Sequence, residues 1–376
     1  MTADRFWPNV LLDGFYALTL CVSAMFFIAT QRATSARWSA GLRRVPEAFL
    51  GALPVFVLLM IPVIALPGAR ETLYCWSRAG GLSGACGNIA TLGGKPQFLN
   101  ASFVYGRIAV VFLIWILFAR AFRRASLAQD RMGATPGAGL RLHQRLDRLG
   151  AAFVVVFALT ITGAAYDWLA SLDPSWASTM FAVYIFAGVF VGGIAAVTLA
   201  TILLARREPL RAVVREAQLH DLGKMLFAFS IFWTYIWVCQ YLLIWYGNIP
   251  EEIGHFMSRT NGGWLPLFVA NVLVNFVVPF LGLMSVRAKT DPRRLATIAV
   301  VVLCGRWLDL YLVIMPAVWK EPHFGLLEPL IAFGFGALLV LLVRHHAARA
   351  PLVPLHDPVL AADAAAAHPV LRRHTA

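Results

Sequence analysis

The sequence predicts an all-α, polytopic transmembrane protein, and three observations support this fold class. Of the 376 residues, 60% are hydrophobic and only 14% are charged, whereas a soluble domain has about 45–50% apolar and about 25% charged residues. The mean hydropathy is +0.71. Long apolar stretches also alternate with arginine-rich connections along the chain. A water-soluble globular enzyme, a disordered chain and a fibrous protein are thereby excluded.

Each predicted span is a stretch of about 20 mostly apolar residues, the length that crosses the hydrocarbon core of a bilayer. The nine stretches lie near 10–31, 47–67, 102–122, 149–168, 179–204, 224–246, 263–285, 295–315 and 326–343. Glycine and proline occur inside several of them, which membrane helices tolerate. The spans define a transmembrane domain over residues 1–349. The residues at 350–376 are rich in Ala, Pro and His and predict a disordered cytoplasmic tail.

Lysine and arginine concentrate in alternate connections. Of the 32 basic residues, 24 lie in the connections that follow spans one, three, five, seven and nine. Because cytoplasmic loops carry this excess, the N-terminus is predicted outside and the C-terminus in the cytoplasm. The same loops account for the net charge of +13, so the charge gives no reason to expect nucleic-acid binding.

Cysteine and histidine limit the redox chemistry of the chain. Cys75 and Cys86 share the long outer connection and could form a disulfide in an oxidising compartment, the alternative being two free thiols. No Cys-x-x-Cys motif occurs, and no histidine lies in the middle of a predicted span. The sequence therefore predicts neither haem nor an iron–sulfur cluster nor another metal in this chain.

Span eight contains Arg306 and Asp309, which are three residues apart and share a helix face. Ionisable side chains inside membrane helices are costly and mark functional sites. One interpretation is a structural ion pair. The other is a proton-handling carboxylate controlled by its arginine partner.

A second acid, Asp167, lies towards the outer end of span four, where it is either an interfacial carboxylate in contact with water or part of a functional site. Asp167 precedes Pro174 by seven residues, as Asp309 precedes Pro316. These matched positions in spans four and eight predict two similar four-helix units, with span nine as a flanking helix.

Polar residues near both ends of the spans are further candidates for a proton path. Together with Asp309, Arg306 and Asp167, the candidates are Glu328, Asp13, His220 and Glu47. Glu47 and His220 lie at predicted cytoplasmic helix starts. At such positions an acidic side chain also interacts favourably with the helix dipole and caps the backbone, without any functional role. No residue is predicted to be catalytic.

Four stretches resemble a known family. They are Arg-Arg-Val-Pro-Glu (43–47), Tyr-Asp-Trp-Leu-Ala-Ser-Leu-Asp-Pro-Ser-Trp-Ala-Ser-Thr-Met-Phe (166–181), Gln-Tyr-Leu-Leu-Ile-Trp-Tyr-Gly-Asn-Ile-Pro-Glu-Glu (240–252) and Arg-Trp-Leu-Asp-Leu-Tyr (306–311). From about residue 10 to about residue 343, the chain resembles the ActF subunits of bacterial alternative complex III. This complex is a quinol:cytochrome c oxidoreductase, and ActF subunits are related to the NrfD and polysulfide reductase membrane anchors.

The resemblance implies a multi-pass protein of the bacterial inner membrane with two four-helix bundles and flanking helices. It implies a non-catalytic subunit without its own redox centre, which conducts protons or binds quinone. The implied partners are a second, NrfD-like subunit that binds quinol, an iron–sulfur subunit and c-type haem subunits. Asp167, Arg306 and Asp309 fall inside matching motifs, and Glu251 and Glu252 match the outer-loop motif.

Three other hypotheses remain open. The subunit could itself bind quinone or quinol, with polar partners drawn from Tyr166, Asp167, Trp168 and Arg107. It could be a purely structural scaffold for peripheral subunits. It could also be a stand-alone secondary transporter, although the sequence has no matched pair of interrupted helices, which is the feature typical of that class.

Overall fold

The computed structural model describes residues 3–78, 86, 95–132, 135 and 137–360. All regular structure within these ranges is helical. The main helices are α1 (Ala3–Ala33), α2 (Arg44–Ala65), α3 (Ala101–Met132), α4 (Ala138–Ala164), α5 (Phe181–Leu204), α6 (Glu216–Gly247), α7 (Pro250–Thr260), α8 (Trp264–Gly282), α9 (Pro292–Ile314) and α10 (Leu327–Ala348). Shorter helices are Pro67–Leu73, Lys95–Phe98, Leu210–Val213 and Val286–Thr290.

Nine helices in the described part of the chain are long and apolar enough to cross a membrane, which confirms the predicted all-α polytopic fold. They are all the main helices except α7. Several extend beyond the predicted spans, and α3 continues from the predicted end at 122 to Met132. Such extensions carry charged residues, so a hydropathy pattern does not detect them although the backbone stays helical.

The helices pack as two rings of four. α1, α2, α3 and α4 form the first bundle, and α5, α6, α8 and α9 form the second. α10 lies outside both and packs on α2 and α1. α1 also contacts α5 and α9 and is almost wholly buried. The backbones of α1 and α5 approach closely where they cross, because a Cβ atom at Gly193 would collide with the Ser23 side chain.

Local sequence sets several helix ends. α9 begins where the Asp291 carboxylate accepts the Arg293 N–H, with Pro292 in the first turn. α6 ends at Gly247, and Asn248 follows in the left-handed conformation. Two π-helical turns interrupt the regular hydrogen bonding, one at Ala165–Leu169 after α4 and one at Leu273–Val277 within α8. Such turns occur frequently at functional sites.

The helices alternate in direction, so the bundle has two distinct ends. We call the end with connections 34–43, 205–215 and 283–291 and with residues 349–360 the basic face. The opposite face contains the described parts of the connection between α2 and α3 (66–78, 86 and 95–100) and connections 173–180, 248–263 and 318–326. Cys75 and Cys86 are joined by a disulfide on the opposite face, with their Cα atoms 5.2 Å apart.

Residues 351–360 are predicted to be disordered as part of the tail, but in the structure they pack against the other parts of the basic face. The Asp357 side chain is fully buried there and forms ion pairs with Arg32 and Arg43. Composition alone does not reveal such a pairing with residues more than 300 positions earlier. The rest of the predicted tail, 361–376, lies outside the described residues.

Candidate functional site

The second bundle has a polar centre around Asp309, which is 4% exposed. Its Oδ1 atom accepts a hydrogen bond from the Tyr184 hydroxyl at 2.5 Å and another from Asn271 Nδ2 at 2.9 Å. Its Oδ2 atom lies 3.3 Å from Arg306 Nη1. Three helices, α5, α8 and α9, therefore converge on one buried carboxylate.

The Arg306 side chain also contacts α8 and α6. Its Nε donates to Asn275 Oδ1 at 2.8 Å, and its guanidinium lies 3.9 Å from the ring centroid of Trp233 on α6. Asn275 lies in the π-helical turn of α8 and also donates to the Gly305 carbonyl at 3.0 Å. A side chain at Gly305 would collide with this amide, because a Cβ atom there would lie 2.5 Å from Asn275 Oδ1. The ion pair with Asp309 and the hydrogen bond to Asn275 offset part of the cost of burying this charge.

Asp309 lies between two small cavities. The first, which we call the α7 cavity, has a volume of about 30 Å³ and is lined by Tyr184, Gln240, His255 and Arg259 in addition to Asp309. The second, the α1 cavity, has a volume of about 10 Å³ and is lined by Tyr16, Thr19, Gly188, Arg306 and Asp309. A cavity needs about 10–15 Å³ to hold one water molecule. The first therefore has room for about two waters, and the second is close to the limit for one.

Helix α7 lines the α7 cavity with His255 and Arg259, on the side of the opposite face. Arg259 of this helix donates to the carbonyls of Leu312 and Val313, both at 2.9 Å, and so caps the end of α9. Burial lowers the pKa of Arg259 to about 10. The His255 ring stacks on Trp176 at a centroid distance of 3.7 Å. Burial, with a smaller contribution from the Arg259 charge, holds the pKa of His255 well below its usual value of 6.5.

Asp13 belongs to the same region but is not part of the ion pair. Trp307 Nε1 donates to Asp13 Oδ1 at 2.7 Å, and the Tyr16 hydroxyl donates to the Leu303 carbonyl at 2.8 Å. Both contacts join α1 to α9. Of the predicted proton-path residues, Asp309 and Arg306 therefore form one pair, and Asp13 is joined to the same helix through Trp307.

Asp167 lies in the first bundle and pairs with Arg107 of α3. The guanidinium binds both carboxylate oxygens, with Nη2–Oδ1 at 2.6 Å and Nε–Oδ2 at 3.1 Å. The same guanidinium lies 3.8 Å from the ring centroid of Phe98 and 4.4 Å from that of Phe103. The π-helical turn at 165–169 contains Asp167.

The two aromatic neighbours of Asp167 have separate contacts. The Tyr166 hydroxyl donates to the Ser178 carbonyl at 3.1 Å, and the buried Trp168 ring stacks on Phe112. Among the four candidate quinone ligands, Arg107 and Asp167 therefore bind each other, whereas Tyr166 and Trp168 contact other residues.

The remaining candidate acids lie near the two faces. Glu328 at the start of α10 binds Arg5 Nη2 at 2.7 Å and accepts the Gly325 N–H. Glu47 is buried at the basic face, where it binds Arg43 at 3.1 Å, Arg44 at 2.7 Å and the Ser126 hydroxyl at 2.6 Å. These contacts are typical of structural ion pairs.

Three further candidates lie on α6 and α7. His220 is half-buried in the second turn of α6. Glu251 and Glu252 lie in the first turn of α7, and the Glu251 side chain lies outside the described residues. No group of three or more His, Cys, Asp or Glu residues that could hold a metal ion occurs in the described ranges.

Sequence reasoning assigned no role to the neutral and distant members of the site. Tyr184, Asn271 and Asn275 are recognisable in the sequence as polar residues inside apolar spans, but the sequence does not show that they surround Asp309. His255 and Arg259 lie in a connection, and only the fold brings them over the cavity. No protein-family profile matches the chain, and no curated protein matches it either.

Proposed function

We propose that this chain is an integral membrane subunit of a quinol-oxidising respiratory complex and that it handles protons at Asp309. The motif resemblance to ActF subunits supports the complex, and the polar centre of the second bundle supports the proton role. The observation that carries the proposal is a single buried carboxylate bound by a tyrosine, an asparagine and an arginine, with a cavity on either side.

The chemistry of this centre suits proton exchange. The Asp309 carboxyl takes up and releases the proton, and the Tyr184 hydroxyl can donate to the ionised form or accept from the protonated form. Arg306 compensates the negative charge of the ionised carboxylate, which would otherwise be very costly in a membrane. Water in the α7 cavity would link this centre towards His255. Quinol oxidation in a partner subunit would supply the protons.

The proposal includes a location and a set of partners. The arginine-rich connections favour a cytoplasmic basic face, and the disulfide on the opposite face favours an oxidising periplasm there. The partners are a second, NrfD-like quinol-binding subunit, an iron–sulfur subunit and c-type haem subunits. The chain holds no redox cofactor of its own in this proposal.

The first experiment is a purification of the tagged native protein in mild detergent, followed by an absorption spectrum and mass spectrometry. We expect c-type haem absorption and co-purifying iron–sulfur and haem subunits. If the chain purifies alone and colourless, the respiratory assignment is wrong and transport assays become the appropriate next step.

The proton role is tested by Asp309→Asn in the purified complex reconstituted into vesicles. We expect quinol-driven proton release to be lost, because the amide cannot carry the proton. The matched control is Asp221→Asn, which changes an acid paired with Lys224 near the start of α6. If Asp309→Asn leaves both electron transfer and proton release unchanged, the chain acts as a scaffold and the proton role is wrong.

Quinone binding is a second candidate, and one observation favours it. Arg107 with Asp167 forms a polar pair beside Phe98 and Phe103, which are 41% and 53% exposed on the outside of the first bundle. A quinone head group needs such a polar contact beside an apolar surface. A photoreactive quinone should then label α3 near Arg107, and labelling confined to a partner subunit would contradict this role.

A further inference from the structure

A third cavity, much larger than the two beside Asp309, lies at the basic face. Its volume is about 360 Å³. Phe27, Ile28, Pro46 and Leu140 form its apolar walls, and residues 358–359 close one side. The walls come from the last turns of α1 and the first turns of α2 and α4. The cavity therefore lies level with the ends of membrane-spanning helices.

Arg32 and Arg43 line this cavity, and both bind the carboxylate of Asp357. Asp147 also lines it, 3.5 Å from Arg32. Arg43 Nη1 donates to Asp357 Oδ2 at 2.7 Å, and Arg32 Nη2 donates to the same oxygen at 3.1 Å. His143 Nδ1 lies 3.7 Å from Asp357 Oδ1. The Asp357 side chain is fully buried, and the Arg43 side chain is 4% exposed. Two guanidinium groups converging on one oxygen is a geometry that suits carboxylate or phosphate.

Elsewhere in the segment 351–360, two exposed residues form hydrogen bonds to Asp130. The Leu355 N–H donates to Asp130 Oδ1 at 3.1 Å, and His356 Nδ1 lies 3.0 Å from the Asp130 carbonyl. The Leu355 side chain is 62% exposed. Asp357 is thus the buried charge that ties the segment to the bundle, and breaking its two arginine contacts would release residues that close the cavity.

We propose that residues 351–360 form a latch over this cavity, that Asp357 holds the latch closed, and that the phosphate of an anionic phospholipid opens it by replacing Asp357 between Arg32 and Arg43. An oxyanion is the class of ligand that competes with a carboxylate at this site. The apolar walls favour an oxyanion that carries acyl chains, and the position at the helix ends matches the depth of a lipid head group.

The test is hydrogen–deuterium exchange of the segment 351–360 in the full-length protein, held in lipid nanodiscs. In phosphatidylcholine we expect slow exchange, because the Leu355 and Val359 amides donate to the side chains of Asp130 and Asp357. Adding phosphatidylglycerol should raise the exchange rate by about tenfold, since local opening follows from loss of the Asp357 contacts. Unchanged exchange in phosphatidylglycerol would overturn lipid control of the latch.

Asp357→Asn tests the latch residue. This variant should exchange rapidly in phosphatidylcholine already, with no further rise in phosphatidylglycerol. The matched control is Asp221→Asn, the same change at an acid paired with Lys224 near the start of α6, which should behave as the unchanged protein. Slow exchange in Asp357→Asn would overturn the role of Asp357. Exchange of α5 in the same sample shows whether the bundle is intact, and the wild-type lipid comparison remains decisive if the variant does not fold.

The same exchange measurement with inorganic phosphate distinguishes binding of a lipid phosphate from binding of free phosphate. Inorganic phosphate added to phosphatidylcholine nanodiscs should leave the exchange of residues 351–360 slow, because it gains nothing from the apolar walls. If inorganic phosphate opens the segment as well as phosphatidylglycerol does, the lipid assignment is wrong.

Discussion

At the scale of single residues, Asp309 and Asp167 have the same charge but different surroundings. Asp309 is bound by two neutral donors and one arginine and adjoins two cavities. Asp167 is bound at both oxygens by Arg107. A bidentate arginine fixes the geometry of the carboxylate. The contacts of Asp309 support the proton exchange proposed for it, whereas those of Asp167 support a fixed ion pair.

Tyr184→Phe removes one donor from Asp309 and keeps Asn271 and Arg306. Because hydrogen bonds to charged groups contribute about 1.5–3 kcal/mol, we expect a stability loss of this order. Proton release should fall, but less than in Asp309→Asn. Thermal unfolding and vesicle proton assays measure the two effects. Tyr235→Phe, at a tyrosine 62% exposed on α6, is the control, and equal effects in both variants would contradict a specific role.

Arg107→Ala should destabilise the first bundle by leaving the Asp167 carboxylate buried without its partner. Removing one member of a buried pair costs about 3–5 kcal/mol, and the cost here should be at the lower end because Arg107 is partly exposed. The midpoint of thermal unfolding in detergent measures the loss. Arg206→Ala, at an exposed arginine, is the control. If adding Asp167→Leu to Arg107→Ala fails to recover any stability, the interpretation of the pair is wrong.

At the scale of elements, α7 is a short helix that depends on its buried contacts. Its Arg259 caps α9, and its His255 is buried against Trp176. The pKa of His255 is held well below 6.5 in the folded helix. At a pH just below 6.5 the ring is therefore neutral while α7 is folded, and it takes up a proton when α7 opens. Opening of α7 is therefore linked to proton uptake below about pH 6.5.

The expected pH dependence follows from the sign of this linkage. The opened state binds more protons, so the free energy of opening α7 falls as pH falls below about 6.5, by up to about 1.4 kcal/mol per pH unit. Above that pH it stays constant. Hydrogen exchange of Pro250–Thr260, corrected for the intrinsic rate, measures this from about pH 7.5 to about pH 5. His255→Gln should abolish the dependence, and His323→Gln at an exposed histidine should retain it.

The same elements show what the sequence could predict. Hydropathy is sufficient to identify nine spans, because each must present an apolar surface to lipid or to its neighbours. The ion pair of Arg306 with Asp309 follows from a spacing of three on one helix. Arg259 could not be predicted in the same way, because its partners are backbone carbonyls 53 and 54 residues away, which have no signature in the sequence.

At the scale of the whole molecule, the distribution of arginine makes a topology prediction. Ser35 and Arg207 are exposed in connections of the basic face, and Ser175 is exposed at the opposite face. We expect Ser35→Cys and Arg207→Cys to react with a membrane-impermeant maleimide only from the cytoplasm. Ser175→Cys should react only from the periplasm. The unsubstituted chain is the control for labelling of native thiols, and reaction of Ser35→Cys from the periplasm would contradict the proposed orientation.

The two-ring architecture is only partly encoded in the sequence pattern. The repeated spacing from Asp167 to Pro174 and from Asp309 to Pro316 predicts two four-helix units, and the helices do pack as two rings. The position of α1 has no such signal. Its apolar composition is similar on all sides, so the pattern gives no indication that it joins both rings.

The central position of α1 has a consequence for synthesis. Asp13 contacts Trp307, which is 294 residues further along the chain, and Arg5 contacts Glu328, which is 323 residues further. At about 5–20 residues per second, a ribosome needs roughly 15–60 s to make this intervening segment. α1 is thus synthesised well before these partners, which belong to α9 and α10. During this interval Asp13 and Arg5 lack the partners that they have in the folded chain.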